Sequence, residues 1–141
     1  MTVGITGYGF YDASGIGGDT NPEARDISSI DDVKWKEISQ EPFKRFGQLD
    51  ALSKTIMTAV EMINHREALS TESKANTAIS LGTQDGCLGT DIDFRESALQ
   101  REIANPRLFA YTLPSTICGD IAIRYRLEGP NVCFQSGSNS G

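Results

Sequence analysis

The sequence predicts an α/β fold. Three observations predict it: short β-friendly runs punctuated by glycine at residues 3–10, 77–83 and 132–135, an apolar stripe of helical period over residues 49–63, and the alternation of these runs with two further helices. The order β, α, β, α, α, β builds layers of sheet and helix around a shared core. The chain has 141 residues, of which 38% are hydrophobic, so one domain across 1–141 with a modest core is expected.

Each element has its own local cause. Residues 3–10 place apolar side chains among glycines, which reads as a strand that lets another backbone come close. Gly15, Gly17 and Gly18, then Asn21 and Pro22, open a stretch to Phe46 with no sustained period, apart from a short helix near 30–38. That stretch reads as a long surface excursion. Leu49, Leu52, Ile56, Val60 and Ile63 then recur at helical steps, with Met57 beside them and Lys54, Glu61 and Arg66 off the stripe. A helix over 50–69 follows, with Asp50 as its N-cap and the polar residues 70–76 ending it.

Residues 77–83 (TAISLGT) form a second strand. A more polar helix over 91–104 is stopped by Asn105-Pro106. Pro114 suits the first turn of a third helix over 115–125, where a missing N–H costs nothing. Gly129-Pro130 breaks the chain, and the strand 132–135 runs into Ser136-Gly137-Ser138-Asn139-Ser140-Gly141.

Composition and motifs exclude several functions. The net charge of -6 argues against a nucleic-acid or anionic-membrane surface, which needs clustered Lys and Arg. The first residues lack the basic and apolar regions of a signal peptide. No apolar run approaches the roughly 18 residues needed to span a bilayer. Cys87, Cys118 and Cys133 are an odd set without close pairs, which reads as free thiols in a reducing, cytoplasmic setting. With one histidine, His65, and no spaced carboxylate or thiol ligands, no metal is expected. Gly7-x-Gly9 has Asp12 where a dinucleotide fingerprint needs its third glycine, and no phosphate-binding loop is present. The terminal GSNSG centres on asparagine, so it is not the hydrolase elbow. No cofactor is implied.

Taken together, several segments resemble the β-ketoacyl-(acyl-carrier-protein) synthase family. The opening VGITGYGF is similar to that family's first strand. Arg45-Phe46-Gly47-Gln48-Leu49-Asp50 with Ser53-Lys54 is similar to its entry into the first long helix, and Ile79-Ser80-Leu81-Gly82-Thr83 to its glycine-closed second strand. The strongest stretch is NPRLFAYTLPSTICGDIAIRYRLEGPN, with Gly119, Ile121-Ala122-Ile123-Arg124-Tyr125, Leu127 and Gly129-Pro130-Asn131 in family-like order. The resemblance implies a thiolase-like layered fold, of which this chain is the N-terminal half and ends at the nucleophile turn. It also implies an acyl carrier protein as partner, and a homo- or heterodimer with a ketosynthase in which the strand before the nucleophile pairs across the dimer axis. It implies that Thr112 and Leu113 border an acyl pocket; plain core packing is the alternative for them.

Counting from Gly129-Pro130-Asn131, the family's nucleophilic cysteine falls on Ser138. A cysteine at such a strand-to-helix turn ionises near neutral pH, whereas a serine hydroxyl needs an adjacent base. The family's two histidines and lysine lie beyond the stretch matched here, and His65 corresponds to none of them. Cys133 sits inside the strand and reads as a packing residue. Three functional readings stay open. One is a non-catalytic ketosynthase-like subunit of fatty-acid or polyketide synthesis, comparable with the cysteine-less chain-length-determining subunits. The second is an active condensing enzyme or acyltransferase using Ser138, with its other residues supplied elsewhere. The third is a degenerate fragment with an interaction role only.

Overall fold

The computed structural model describes residues 7–12, 15–18, 21–25, 29–63, 71–101 and 103–137. It mixes helices with two small sheets. The chain divides into two compact units, Met1–Ser70 and Thr71–Gly141.

The first unit is built on an antiparallel meander, β1 (Gly9–Asp12), β2 (Gly15–Gly18) and β3 (Asn21–Arg25), in the order β1-β2-β3. Gly9 pairs with Gly18 and Tyr11 with Ile16, and the β2–β3 register shifts between Ile16 and Gly18. Residues 3–6 of the expected first strand lie outside the described residues. The expected excursion after Tyr11 is therefore corrected, because two of its segments are strands. Alternation cannot reveal a strand written Gly-Ile-Gly-Gly, since glycine shows no side chain to either face.

Helix α2 (Ala51–Met62) explains those glycines. A Cβ on Gly9 would lie 1.9 Å from the Ala59 carbonyl oxygen, and one on Gly18 would lie 2.7 Å from that of Met62. The helix backbone thus rests directly on the sheet, the close approach that the glycine pattern predicts. Asp50 caps the helix as expected, its Oδ1 accepting from the Ser53 N–H at 3.0 Å.

Two features of α2 differ from expectation. It stops at Met62, where Ile63 turns extended at ψ 138°; residues 64–70 of the expected helix lie outside the described residues. Its buried side chains are Ser53, Met57, Thr58, Glu61 and Met62 rather than the predicted stripe, of which only Leu49, before the helix, is buried. Leu52, Ile56, Val60 and Ile63 are half-buried. The meander meets the helix on the flank beside the stripe, because only glycine lets backbone reach backbone there.

The expected helix near 30–38 is two pieces, a 3-10 turn at Ile30–Asp32 and the single-turn α1 (Trp35–Ile38). Trp35 anchors an aromatic cluster, with ring centroids 5.3 Å from Phe43 and 5.0 Å from Phe46. Its indole N–H donates to the Glu41 carbonyl at 2.6 Å, so the one polar atom of the buried ring is satisfied.

The second unit holds α3 (Thr71–Lys74), β4 (Ile79–Thr83), α4 (Leu88–Arg101), α5 (Pro106–Ala110), α6 (Thr116–Tyr125) and β5 (Asn131–Gln135). β4 and β5 pair in parallel, from Ile79↔Asn131 to Thr83↔Gln135. Parallel neighbours need a crossover connection, and α4, α5 and α6 supply it. α6 buries Ile117, Cys118, Ile121 and Tyr125 and packs on both strands. It ends on Arg126, a non-glycine residue in the left-handed region at φ 57°. Gly129 is tied to the start of β4: its N–H donates to the Thr77 carbonyl at 3.2 Å, and a Cβ would lie 2.3 Å from that oxygen.

α4 begins and ends about one turn before the predicted 91–104. α5 is a helix that the sequence reading treats only as a stop. Asn105 is its N-cap, accepting from the Arg107 and Leu108 N–H groups at 3.0 and 3.4 Å. Asn before Pro ends one helix and starts the next, since proline suits the first helical turn. Phe109 packs α5 on α4 through Phe94, with ring centroids 5.7 Å apart.

Candidate functional site

The parallel pair has one chemically distinctive end. In open α/β sheets, ligands bind beyond the carboxyl ends of the strands. Here that end joins the β4–α4 turn to the exit of β5. Asp85-Gly86 makes the turn, with Gly86 at φ +59°, a conformation glycine adopts without strain. The Gly86 N–H donates to Thr83 Oγ1 at 3.1 Å. The Gln135 amide lies against Gly86, its Nε2 2.6 Å from where a Cβ would stand. Beyond Gln135 the strand ends at Ser136, and Gly137 turns the chain at φ 51°. Thr83, Gly86 and Gln135 were not singled out from sequence, though an Asp-Gly pair after a strand is a turn signal.

The residues expected to act fall as follows. Ser138 and His65 lie outside the described residues. Thr112 is half-buried, and its hydroxyl donates to the Phe109 carbonyl at 2.8 Å, closing the end of α5. Leu113 is 61% exposed in the α5–α6 connection, beside Phe109 at the same exposure.

No protein-family model and no curated protein matches this chain.

The thiols are arranged for packing. Cys118 is buried on α6. Burial pushes its thiol up from the ordinary range, the neighbouring Cys133 adds to the rise, and a backbone hydrogen bond opposes it. A raised thiol is protonated at neutral pH and is a poor nucleophile. Cys133 is half-buried on the β5 face opposite the exposed Val132 and Phe134. Among the described residues, no group of three or more His, Cys, Asp or Glu side chains could hold a metal ion, and no helix is long and apolar enough to cross a membrane. At the described edge the Thr83 hydroxyl, the Gln135 amide and the Asp85 carboxylate offer hydrogen-bonding groups.

Proposed function

We propose that this chain is a ketosynthase-like protein of fatty-acid or polyketide synthesis, with a thiolase-like layered fold, that acts as a non-catalytic partner of an active condensing enzyme. The observation that carries the proposal is the β4–α4–α5–α6–β5 unit, in which β5 pairs in parallel with β4 and ends three residues before Ser138 in the sequence. In a condensing enzyme the turn after that strand presents a thiolate to the incoming acyl group. The serine hydroxyl stays protonated, so acyl transfer from an acyl carrier protein stalls without an added base. A partner role also accounts for β5, whose Val132 and Phe134 are 44% and 54% exposed. Parallel sheets are ordinarily covered on both faces, and a dimeric ketosynthase supplies that cover. The setting is the cytoplasm, where acyl carrier proteins and reduced thiols coexist.

The test uses the full chain, acyl-carrier protein and malonyl-carrier protein. Alone, the chain yields no ketoacyl product. Mixed with an active ketosynthase, it forms a complex and changes the length of the product chain. Turnover by the chain alone above about 1 per second, or failure to bind any ketosynthase, refutes the proposal.

A further inference from the structure

Two of the three cysteines stand on elements that pack against each other. β5 turns Val132 and Phe134 to solvent and Cys133 to the opposite face. There Cys133 is half-buried, level with the half-buried Leu81 of β4. The helix that packs on both strands is α6, and its buried side chains are Ile117, Cys118, Ile121 and Tyr125. Cys118 and Cys133 thus belong to the same helix–sheet layer.

Their levels within that layer agree. The connection 126–130 is short, so β5 folds back along α6. Cys118 lies about 10 Å before the helix end at Tyr125. Cys133 lies about 7 Å into β5 from Asn131. Cα atoms of α6 and β5 approach within 8 Å of each other, and a disulfide joins Cα atoms up to about 7 Å apart. The thiols also sense each other: burial first, and Cys133 after it, pushes the Cys118 thiol up. Cys87 is buried as well, but it stands just before α4, on neither of these two elements.

We propose that Cys118 and Cys133 form a redox-sensitive dithiol, which a hydroperoxide closes into a disulfide that clamps α6 to β5. Cys133 is the more accessible of the two and meets the oxidant first. Its sulfur attacks the outer peroxide oxygen, the O–O bond breaks, and the rest of the peroxide leaves as water or an alcohol with the thiol proton. Cys133 is then a sulfenic acid. The Cys118 sulfur attacks the Cys133 sulfur, the S–O bond breaks, and the hydroxyl leaves as water with the Cys118 proton. The two thiols lose two electrons and two protons, and the peroxide gains them. The inference does not rest on the ketosynthase reading, because it uses only the packing of α6 on β5.

Hydrogen peroxide added to the reduced full chain, followed by peptide mass spectrometry, tests it. The parent loses two hydrogens and two free thiols and yields a 118–133 linked peptide, which dithiothreitol reopens. The bridge closes a loop of 15 residues, so the folding constant rises on the order of a hundredfold on oxidation, read as a higher urea midpoint. Cys87→Ala leaves the linkage intact. Cys118→Ala stops at the Cys133 sulfenic acid, which gains one oxygen and is trapped by dimedone. The measurements on the parent stand whether or not the Cys118 variant folds. A parent chain in which Cys133 oxidises while Cys118 stays a thiol overturns the proposal. So does a linkage through Cys87, a bridge formed only between two copies, or a 118–133 bridge that leaves the urea midpoint unchanged.

Discussion

Replacing Gly9 by alanine tests the packing of helix on sheet most directly. The new methyl carbon would stand 1.9 Å from the Ala59 carbonyl oxygen and 3.0 Å from the Met62 Cβ. Side-chain carbons essentially never come within 3.0 Å of such neighbours, so β1 and α2 must part by about 1 Å. The obstacle is helix backbone rather than a side chain that could swing away, so the cost spreads over the contacts of both elements. Overpacking of this kind typically costs about 1–3 kcal/mol, and the top of that range is expected here. In a unit of this size, about 3 kcal/mol lowers the melting temperature by on the order of 12–24 °C. Gly119→Ala is the counterpart. It lies inside α6 with nothing within 4 Å of its Cβ position, and alanine there favours the helix by about 1 kcal/mol. Thermal melts should therefore move in opposite directions, with amide exchange in α2 accelerated by Gly9→Ala alone. A Gly9→Ala protein that melts within a degree or two of the parent refutes the argument that glycine admits α2 to the sheet.

Asp50→Ala removes the acceptor for the Ser53 N–H and should lower urea stability by about 1 kcal/mol, whereas Asp50→Asn changes it little. Among the thiols, Cys133 should react with iodoacetamide first, because Cys118 and Cys87 are buried. The Cys118 thiol is raised by burial, so its contribution to stability is complete below the ordinary thiol pKa of about 8.5. That contribution is lost as pH rises through the higher folded-state value; urea titrations above pH 8.5 should show the decline, and Cys118→Ala should flatten it. Ser138→Cys should create a site for thiol-directed condensing-enzyme inhibitors in the assembled complex; labelling that falls on Cys133 in the unaltered chain places the nucleophile position elsewhere.

Some of this architecture is local and was readable. The Asp50 cap needs only a short polar side chain three residues before a free N–H. The strands 79–83 and 131–135 are β-friendly runs bounded by glycine or proline. The start of α6 follows from the turn around Pro114. Other parts were hidden because their signals are ambiguous or silent. Asn105-Pro106 stops α4 and begins α5, and a one-dimensional pattern shows only one of these. β2, with three glycines in four residues, has no alternation to read. The turn at Gly86 was visible as a dipeptide, but its contact with Gln135, some fifty residues on, was not.

The sequence by itself determined which segments are helix and strand wherever side chains alternate or cap, and it placed serine at position 138. Those properties depend on residues within one or two turns of each other. Only the tertiary structure decided which face each helix buries. The apolar stripe of α2 predicts burial of Leu52, Ile56 and Val60, yet these are half-buried, and the meander rests on the helix at Ala59 and Met62. Two glycines, distant in sequence, remove the side chains that would hold it away. The same holds for α4, whose inner and outer faces are both apolar. Periodicity cannot rank two stripes of similar character; the position of Phe109 on α5 selects the one that is covered and leaves Leu88, Ile92 and Leu99 facing solvent.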